Sequence, residues 1–275
     1  MQDEYEKIVV IGVGNMGASL VRGLLNNNVP AEQIHLVYRE TADADRLALD
    51  FPDCSLSTFN AALASPASFI LALKPKDTLQ LCRDIAASMD TAKSLFISVA
   101  AGIPYQSLQD NLGTSAIVVR SMPNTPAAIG YGMSGLYTDK NTAAIYRDRA
   151  DNILRSVGKT LWLNDESELD AVTALSGSGP AYLFYFMECL QESGQALGLS
   201  AEQSTLLTLE MIHGAAKLAL ASDASFAQLR SNVTSKGGTT EAALRSLSAN
   251  DLQDLITQAL QAAAERSKEI SQSFE

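Results

Sequence analysis

Lys7–Gly17, K-I-V-V-I-G-V-G-N-M-G, decides the fold of this 275-residue chain. Four consecutive β-favouring apolar residues, Ile8 to Ile11, run straight into three glycines, the pattern of a buried strand ending in a tight turn. Gly12, Gly14 and Gly17 stand at the spacing G-x-G-x-x-G, and from Ala18 to Leu25 apolar residues recur at helical intervals, so the turn opens a helix. Glycine lets the backbone approach a pyrophosphate, and the N–H groups and dipole of a helix start favour its negative charge. The expected ligand is a dinucleotide. Glycines that serve only the packing of helix on strand would give the same local pattern.

Composition sets the frame around that turn. With 47% apolar residues the chain can bury a sizeable core in one large or two modest domains. A net charge of -11 and a pI near 4.7 disfavour nucleic acid and anionic membranes as partners, since both would be repelled at long range. Cys54, Cys82 and Cys189 are odd in number and far apart, without metal-site spacing, which suits reduced structural thiols in a cytoplasmic chain. The acidic, polar start Met1–Lys7 has no leader pattern, and no apolar run reaches membrane-spanning length.

Further along, Gln33–Tyr38 reads as a second strand that ends about 20 residues past the third glycine, where an acidic residue would bind an NAD ribose. Tyr38 and Arg39 stand there instead. An arginine at that place pairs with a 2'-phosphate and favours NADP(H). NAD(H) stays open because Glu40 follows immediately, and Arg39 as a solvated loop charge is the other reading. Ser57 and Thr58 can cap a short helix. Ser68–Leu73 is a strand that stops at Lys74-Pro75, with Pro75 suited to the first turn of a helix; Lys74 reads equally as a cofactor contact and as a surface charge. Ser94–Val99 is another strand, followed by the small residues Ala100-Ala101-Gly102, which would leave room for a nicotinamide or simply pack. Ala116–Ser121 leads into Met122-Pro123-Asn124-Thr125-Pro126, a loop fixed by two prolines that either brings Asn124 and Thr125 to the nicotinamide or forms a rigid turn. Gly132–Tyr137, a helix over Thr142–Val157 and a strand over Thr160–Leu163 close this half, and the break falls near Asn164-Asp165.

Beyond the break only helices are expected: Glu168–Leu175, Pro180–Leu197, Ala201–Ala221, Ala242–Leu247 and Asp251–Ile270. His35 and His213 form no metal site or triad, and no carboxylate pair or Cys/His cluster stands out. That leaves cofactor-carried hydride transfer, where positioning suffices. Two strings carry chemistry here. Ser176-Gly177-Ser178-Gly179-Pro180 precedes a helix, as a nicotinamide neighbour or a plain turn. Val233-Thr234-Ser235-Lys236-Gly237-Gly238-Thr239-Thr240 combines glycine-freed N–H groups, hydroxyls and a helix start, an anion site for a small carboxylate or else a capped helix.

Together, G-V-G-N-M-G, A-L-K-P, S-V-A-A-G-I and R-S-M-P-N-T-P-A-A-I-G closely resemble pyrroline-5-carboxylate reductase, and the resemblance extends over essentially the full length. It implies an α/β fold: an N-terminal Rossmann-type doubly wound sheet over 1–164, then an all-helical substrate-binding and dimerisation domain over 165–275. The implied reaction is NAD(P)H-dependent hydride transfer to C5 of 1-pyrroline-5-carboxylate, giving L-proline. The implied cofactor contacts are Gly12, Gly14, Asn15, Met16, Gly17, Tyr38, Arg39, Asn60, Ala72, Leu73, Lys74, Pro75, Ala100, Met122, Asn124 and Thr125. Ser235, Gly238 and Thr239 would hold the substrate with Thr240, whose hydroxyl faces the ring nitrogen as the catalytic contact, and the family's upstream acidic residue falls approximately on Asp223. No metal is implied. The implied assembly is a homodimer that builds a homodecamer.

Two other readings meet obstacles in the sequence. A β-hydroxyacid dehydrogenase would place a catalytic lysine just after a Gly-Ser-Gly string, where this chain has Leu183. A redox sensor that binds NADPH without turnover would have no use for the second anion site.

Overall fold

The structure, a computed structural model, describes residues 7–274. Residues 1–6, most of the acidic start read above, lie outside the described residues, as does residue 275.

The first strand, β1 (Ile8–Ile11), lies at the middle of an eight-stranded sheet and is buried along its whole length. Its neighbours are β2 (Ile34–Val37) and β4 (Ser68–Leu71), both parallel to it, with Ile8 opposite Ile34 and Ser68. The sheet continues through β5 (Leu95–Ser98) and β6 (Ile117–Met122) on one side and ends in β3 (Ser55–Ser57) on the other. The resulting order, β3-β2-β1-β4-β5-β6, reverses direction between β1 and β4. Such a reversal is where open parallel sheets take their ligands, beyond the carboxyl ends of the strands. An antiparallel strand, β7 (Gly132–Tyr137), and β8 (Gly158–Trp162) extend the far edge.

The alternation of side chains splits the strands between two cores. Ile8, Val10, Leu36 and Ile97 face α1 (Asn15–Asn26) and α6 (Ala144–Arg155), where Leu20, Leu24 and Leu154 are buried. Val9, Ile11, Phe69 and Phe96 face α4 (Pro75–Ser88) and α5 (Tyr105–Leu112). Phe69 and Phe96 stack at 5.1 Å between ring centroids. Burial on both faces is why these strands read as unbroken apolar runs. The doubly wound fold expected from the sequence is the one observed.

Several boundaries differ from the sequence expectation by a few residues, and β3, α2 (Thr41–Asp50), α5 and α10 (Phe226–Asn232) were not expected. Strand β3 has only three residues, too few to show a period. Helix α10 has seven; its signal is Ser225, whose hydroxyl accepts from the Gln228 N–H. A short helix, α3 (Phe59–Ala62), does follow Thr58, although Thr58 makes no side-chain capping bond. The helix expected over Glu168–Leu175 is α7 (Glu168–Val172), which widens into a π turn over Thr173–Gly177.

By its contacts the chain divides into two units: one runs to Ser178 and resumes at Ala263, and the other is Gly179–Ala262. The last helix, α12 (Leu252–Gln272), therefore belongs to both. Its final turns fasten to the first unit. Ser267 Oγ donates to Asp170 at 2.6 Å, Ile270 fills the space beside Gly102, and the Phe274 carbonyl accepts from Ser107 Oγ at 2.9 Å. The second unit consists of α8 (Gly179–Ala196), α9 (Ala201–Leu220), α10, α11 (Thr239–Ala249) and the start of α12. Among the described residues it buries no apolar side chain, while Phe184, Tyr185, Leu206 and Leu255 stand exposed.

One polar knot stabilises the far side of the sheet. Arg120 on β6, nearly buried, pairs closely with Glu166, whose carboxylate also accepts from the Tyr105 N–H that opens α5. Glu166→Ala leaves a desolvated guanidinium without its anion, which we expect to cost roughly 3 kcal/mol. The measurement is the thermal midpoint at fixed protein concentration; an unchanged midpoint would show that the pair contributes nothing.

Candidate active site

The glycine turn joins β1 to α1, and its three glycines have three different surroundings. Gly12 has φ +99, and a Cβ there would fall 2.6 Å from the Ala72 carbonyl oxygen at the end of β4. At Gly17 a Cβ would lie 2.2 Å from the Gly12 carbonyl oxygen. Both glycines are therefore required by packing. Gly14 meets nothing within 4 Å and stands as the N-cap of α1 without a side-chain cap. An open glycine at an uncapped helix start is the cradle that a pyrophosphate needs. Packing explains two of the three glycines and leaves Gly14 open.

Gly12 and Gly14 border a cavity of about 730 Å³, which runs past the end of β2. Tyr38, Arg39, Asn60 and Leu73 also line it. Asp43, Arg46, Leu47, Phe59, Leu81 and Asp84 of its lining were not singled out in the sequence, and Thr58 was read there only as a helix cap. Arg46 Nη2 donates to the Val13 carbonyl of the glycine turn at 3.4 Å and pairs with Asp50 at 3.5 Å. Its signal was its place on α2 (Thr41–Asp50), the helix that Arg39 precedes.

The other expected cofactor contacts fall around the carboxyl edge of the sheet. Asn15 and Met16 start α1; Ala72 lies behind Gly17; Lys74, exposed, is the N-cap of α4, with Pro75 at its first turn. Ala100 is buried just past β5, Met122 ends β6, and Thr125, exposed, begins a 3-10 turn over Thr125–Ile129. Asn124 has a definite structural task. Its amide donates to the Ser176 carbonyl and hydroxyl, both at 3.2 Å, and accepts from the Met133 N–H at 2.9 Å. Beside it, a Cβ on Gly177 would fall 2.4 Å from Met122 Cε. The M-P-N-T-P loop and the S-G-S part of the later string, far apart in sequence, thus meet in the first unit.

In the second unit, the loop before α11 brings Ser235, Gly238, Thr239 and Thr240 together. Gly237 has φ +73, and the Gly238 N–H donates to the Ser235 carbonyl at 3.0 Å, closing the turn. Gly238 is the N-cap of α11 and makes no side-chain capping bond. The contrast with its neighbours is chemical: α9 starts in a reciprocal box between Ser200 and Gln203, and α10 is capped by Ser225. Those helices satisfy a first-turn N–H with their N-cap side chain, whereas at α11 the N-cap is a glycine and has none to offer. Thr240 is half-buried; Ser235, Lys236 and Thr239 are exposed. Asp223 lies exposed between α9 and α10, and no hydrogen bond or ion pair joins it to this loop.

No competing chemistry is built elsewhere among the described residues. Burial, then the Lys7 charge, lowers the pKa of His35, whose Nδ1 lies 3.2 Å from Ser57 Oγ. Burial pushes the Cys82 thiol up to about 12, which leaves it without thiolate reactivity near neutral pH. His213 is exposed beside Glu210. Among the described residues no three metal-ligating side chains cluster, and no helix is long and apolar enough to cross a membrane.

Comparison with known proteins matches the two halves of the chain to different family descriptions. Residues 7–102 match the family described as NADP oxidoreductase coenzyme F420-dependent, and residues 166–270 match pyrroline-5-carboxylate reductase dimerisation. A pyrroline-5-carboxylate reductase of Pseudomonas aeruginosa is 42% identical over 266 residues, covering 97% of each chain. One from Pasteurella multocida is 37% identical, over 98% of this chain and 100% of its own. Among solved structures, a pyrroline-5-carboxylate reductase from Coxiella burnetii superposes with a TM-score of 0.91 at 36% identity, covering 98% of this chain and 99% of that one. The Plasmodium falciparum enzyme, solved with NADP bound, gives 0.84 at 28% identity with the same coverage.

The unequal glycines make a discriminating test. Gly14→Ala should leave the thermal midpoint of the free protein nearly unchanged yet weaken NADPH binding at least about tenfold, because its methyl enters only the ligand's space. Gly17→Ala should lose both. Titration of NADPH fluorescence beside a melting curve reads the pair, and tight binding by Gly14→Ala would remove Gly14 from the site.

Proposed function

The chain belongs to the pyrroline-5-carboxylate reductase family, and from that premise we infer which of its residues carry the reaction. The protein is an oxidoreductase acting on a CH-NH group: it uses NAD(P)H to reduce 1-pyrroline-5-carboxylate to L-proline, the last step of proline biosynthesis. The observation that carries the assignment is the coincidence, in one chain, of an open glycine at the start of α1 and the Gly237-Gly238 turn at the start of α11.

On our reading residues 1–164 form the cofactor domain and residues 165–275 the substrate and dimerisation domain. The glycine turn, with Asn15 and Met16, receives the pyrophosphate. Tyr38 and Asn60 border the adenosine half, and Arg39 gives NADP(H) its preference by pairing with the 2'-phosphate. Ala72, Leu73, Lys74 and Pro75, with Ala100, Met122, Asn124 and Thr125, border the rest of the cofactor, Asn124 by fixing the loop around it. When bound, the reduced nicotinamide supplies the hydride.

The substrate's carboxylate is held by Ser235, Gly238 and Thr239, and Asp223, the approximate match to the family's upstream acidic residue, completes the substrate set. The Thr240 hydroxyl hydrogen-bonds the ring nitrogen and orients C5. The imine enters protonated, so hydride addition to C5 moves the C=N electron pair onto nitrogen and yields the secondary amine of proline. No strong enzyme acid is needed, in keeping with a site of hydroxyls and amides.

The bare apolar surface of the second unit and the match to a dimerisation family support a homodimer, which we extend to a homodecamer. We place the enzyme in the cytoplasm, where its free cysteines would stay reduced.

The direct assay is oxidation of NADPH that depends on pyrroline-5-carboxylate; cofactor binding without turnover would reject the function. Thr240→Ala should lower kcat at least about tenfold with NADPH affinity nearly intact, and a wild-type kcat would reject that role. Arg39→Ala should raise the KM for NADPH about tenfold more than that for NADH; equal effects would remove the 2'-phosphate contact.

A further inference from the structure

The loop before α11 has a carboxylate of its own. Glu241 stands in the first turn of α11, and its Oε2 accepts from the Gly237 N–H at 2.8 Å. Arg245, one turn further along, places Nη2 3.7 Å from the same oxygen. A fixed negative charge beside a loop that receives an anion repels the ligand. Its presence therefore needs a compensating task.

The geometry supplies one. Gly237 is in the left-handed region, and nothing lies within 4 Å of where its Cβ would be, so no packing holds it. The turn is closed at Gly238 by the Ser235 carbonyl, but Gly237 itself is exposed. A capping box normally works through two side chains, one at the N-cap and one at N3 reaching back. Here the N-cap is a glycine, so the outward half is missing, while the backward half is made by Glu241 and aimed at Gly237. The arrangement secures the turn and leaves its forward donors unspent.

We propose that Glu241 is a positioning residue for the substrate's carboxylate: by pinning Gly237 it sets the direction of the first-turn N–H groups of α11 and of the Ser235 hydroxyl, while Arg245 offsets its charge. This rests on the assignment of the α11 start as the carboxylate site. Glu241 does not itself touch the substrate; it acts through the turn.

Three variants separate hydrogen bond, reach and charge. Glu241→Ala should raise the KM for pyrroline-5-carboxylate about tenfold, the size expected for one lost hydrogen bond, and leave the KM for NADPH unchanged. Glu241→Asp keeps the charge but shortens the reach, and should raise the same KM in the same direction, which keeps the test available if the alanine variant does not fold. Glu241→Gln keeps an acceptor and removes the repulsion, so its KM should equal or fall below that of the wild type. Hydrogen exchange of the peptide containing Gly237, measured without substrate, should quicken in the alanine and aspartate variants alone. An unchanged KM in Glu241→Ala, a parallel rise in the KM for NADPH, or a glutamine variant as impaired as alanine would each overturn the proposal. If Ser235→Ala also leaves the substrate KM unchanged, the carboxylate site itself is misassigned; if only the Glu241 variants are silent, the pinning role alone fails.

Discussion

The Gly12 carbonyl oxygen lies where a side chain at residue 17 would begin, and the rest of the cofactor unit follows from that contact. With Gly17 reduced to backbone, α1 can start directly above the end of β1 and against β4. Gly14, by contrast, meets nothing within 4 Å of where its Cβ would be. A single methyl at residue 17 would separate the layers and turn the helix start away from the crevice. The constraint is steric, and its product is electrostatic: a packed pair of glycines holds an unpacked one at the head of a helix dipole.

The second unit repeats the principle by other means. At α11 there is no sheet below the turn, so the open helix start cannot be held by packing. Polar contacts replace it: the Ser235 carbonyl, the Gly238 N–H and the Glu241 carboxylate. The two helix starts differ accordingly: one is packed against a core, and the other is ordered by hydrogen bonds in exposed surroundings.

How much of this could be read from the sequence depends on the range of the signal. The glycine turn, the parallel strands and the helical second half are written in contiguous residues, and burial on both faces of the sheet made the strands conspicuous. Strand β3 and helix α10 escaped because three and seven residues are too few for a period to emerge. Arg46 escaped for another reason: it borders the cofactor cavity only because α2 folds back toward the glycine turn, a tertiary fact. Asn124 was singled out as a polar group beside the nicotinamide, whereas its hydrogen bonds go to Ser176 and Met133, partners distant in sequence that no local pattern names.

Consider finally the second unit, whose helices bury no apolar side chain among the described residues. Hydrophobic burial is the main favourable term in folding, and here it is missing from the single chain. The match to a dimerisation family points to a second copy as their cover, and assembly would then be a stage of folding. Stability then follows protomer concentration by mass action, and a newly made chain stays a target for proteolysis until it meets its counterpart. The substrate loop belongs to that unit. The cell's stock of working substrate sites would thus rise more steeply than the amount of protein synthesised, giving the amount of enzyme itself a threshold.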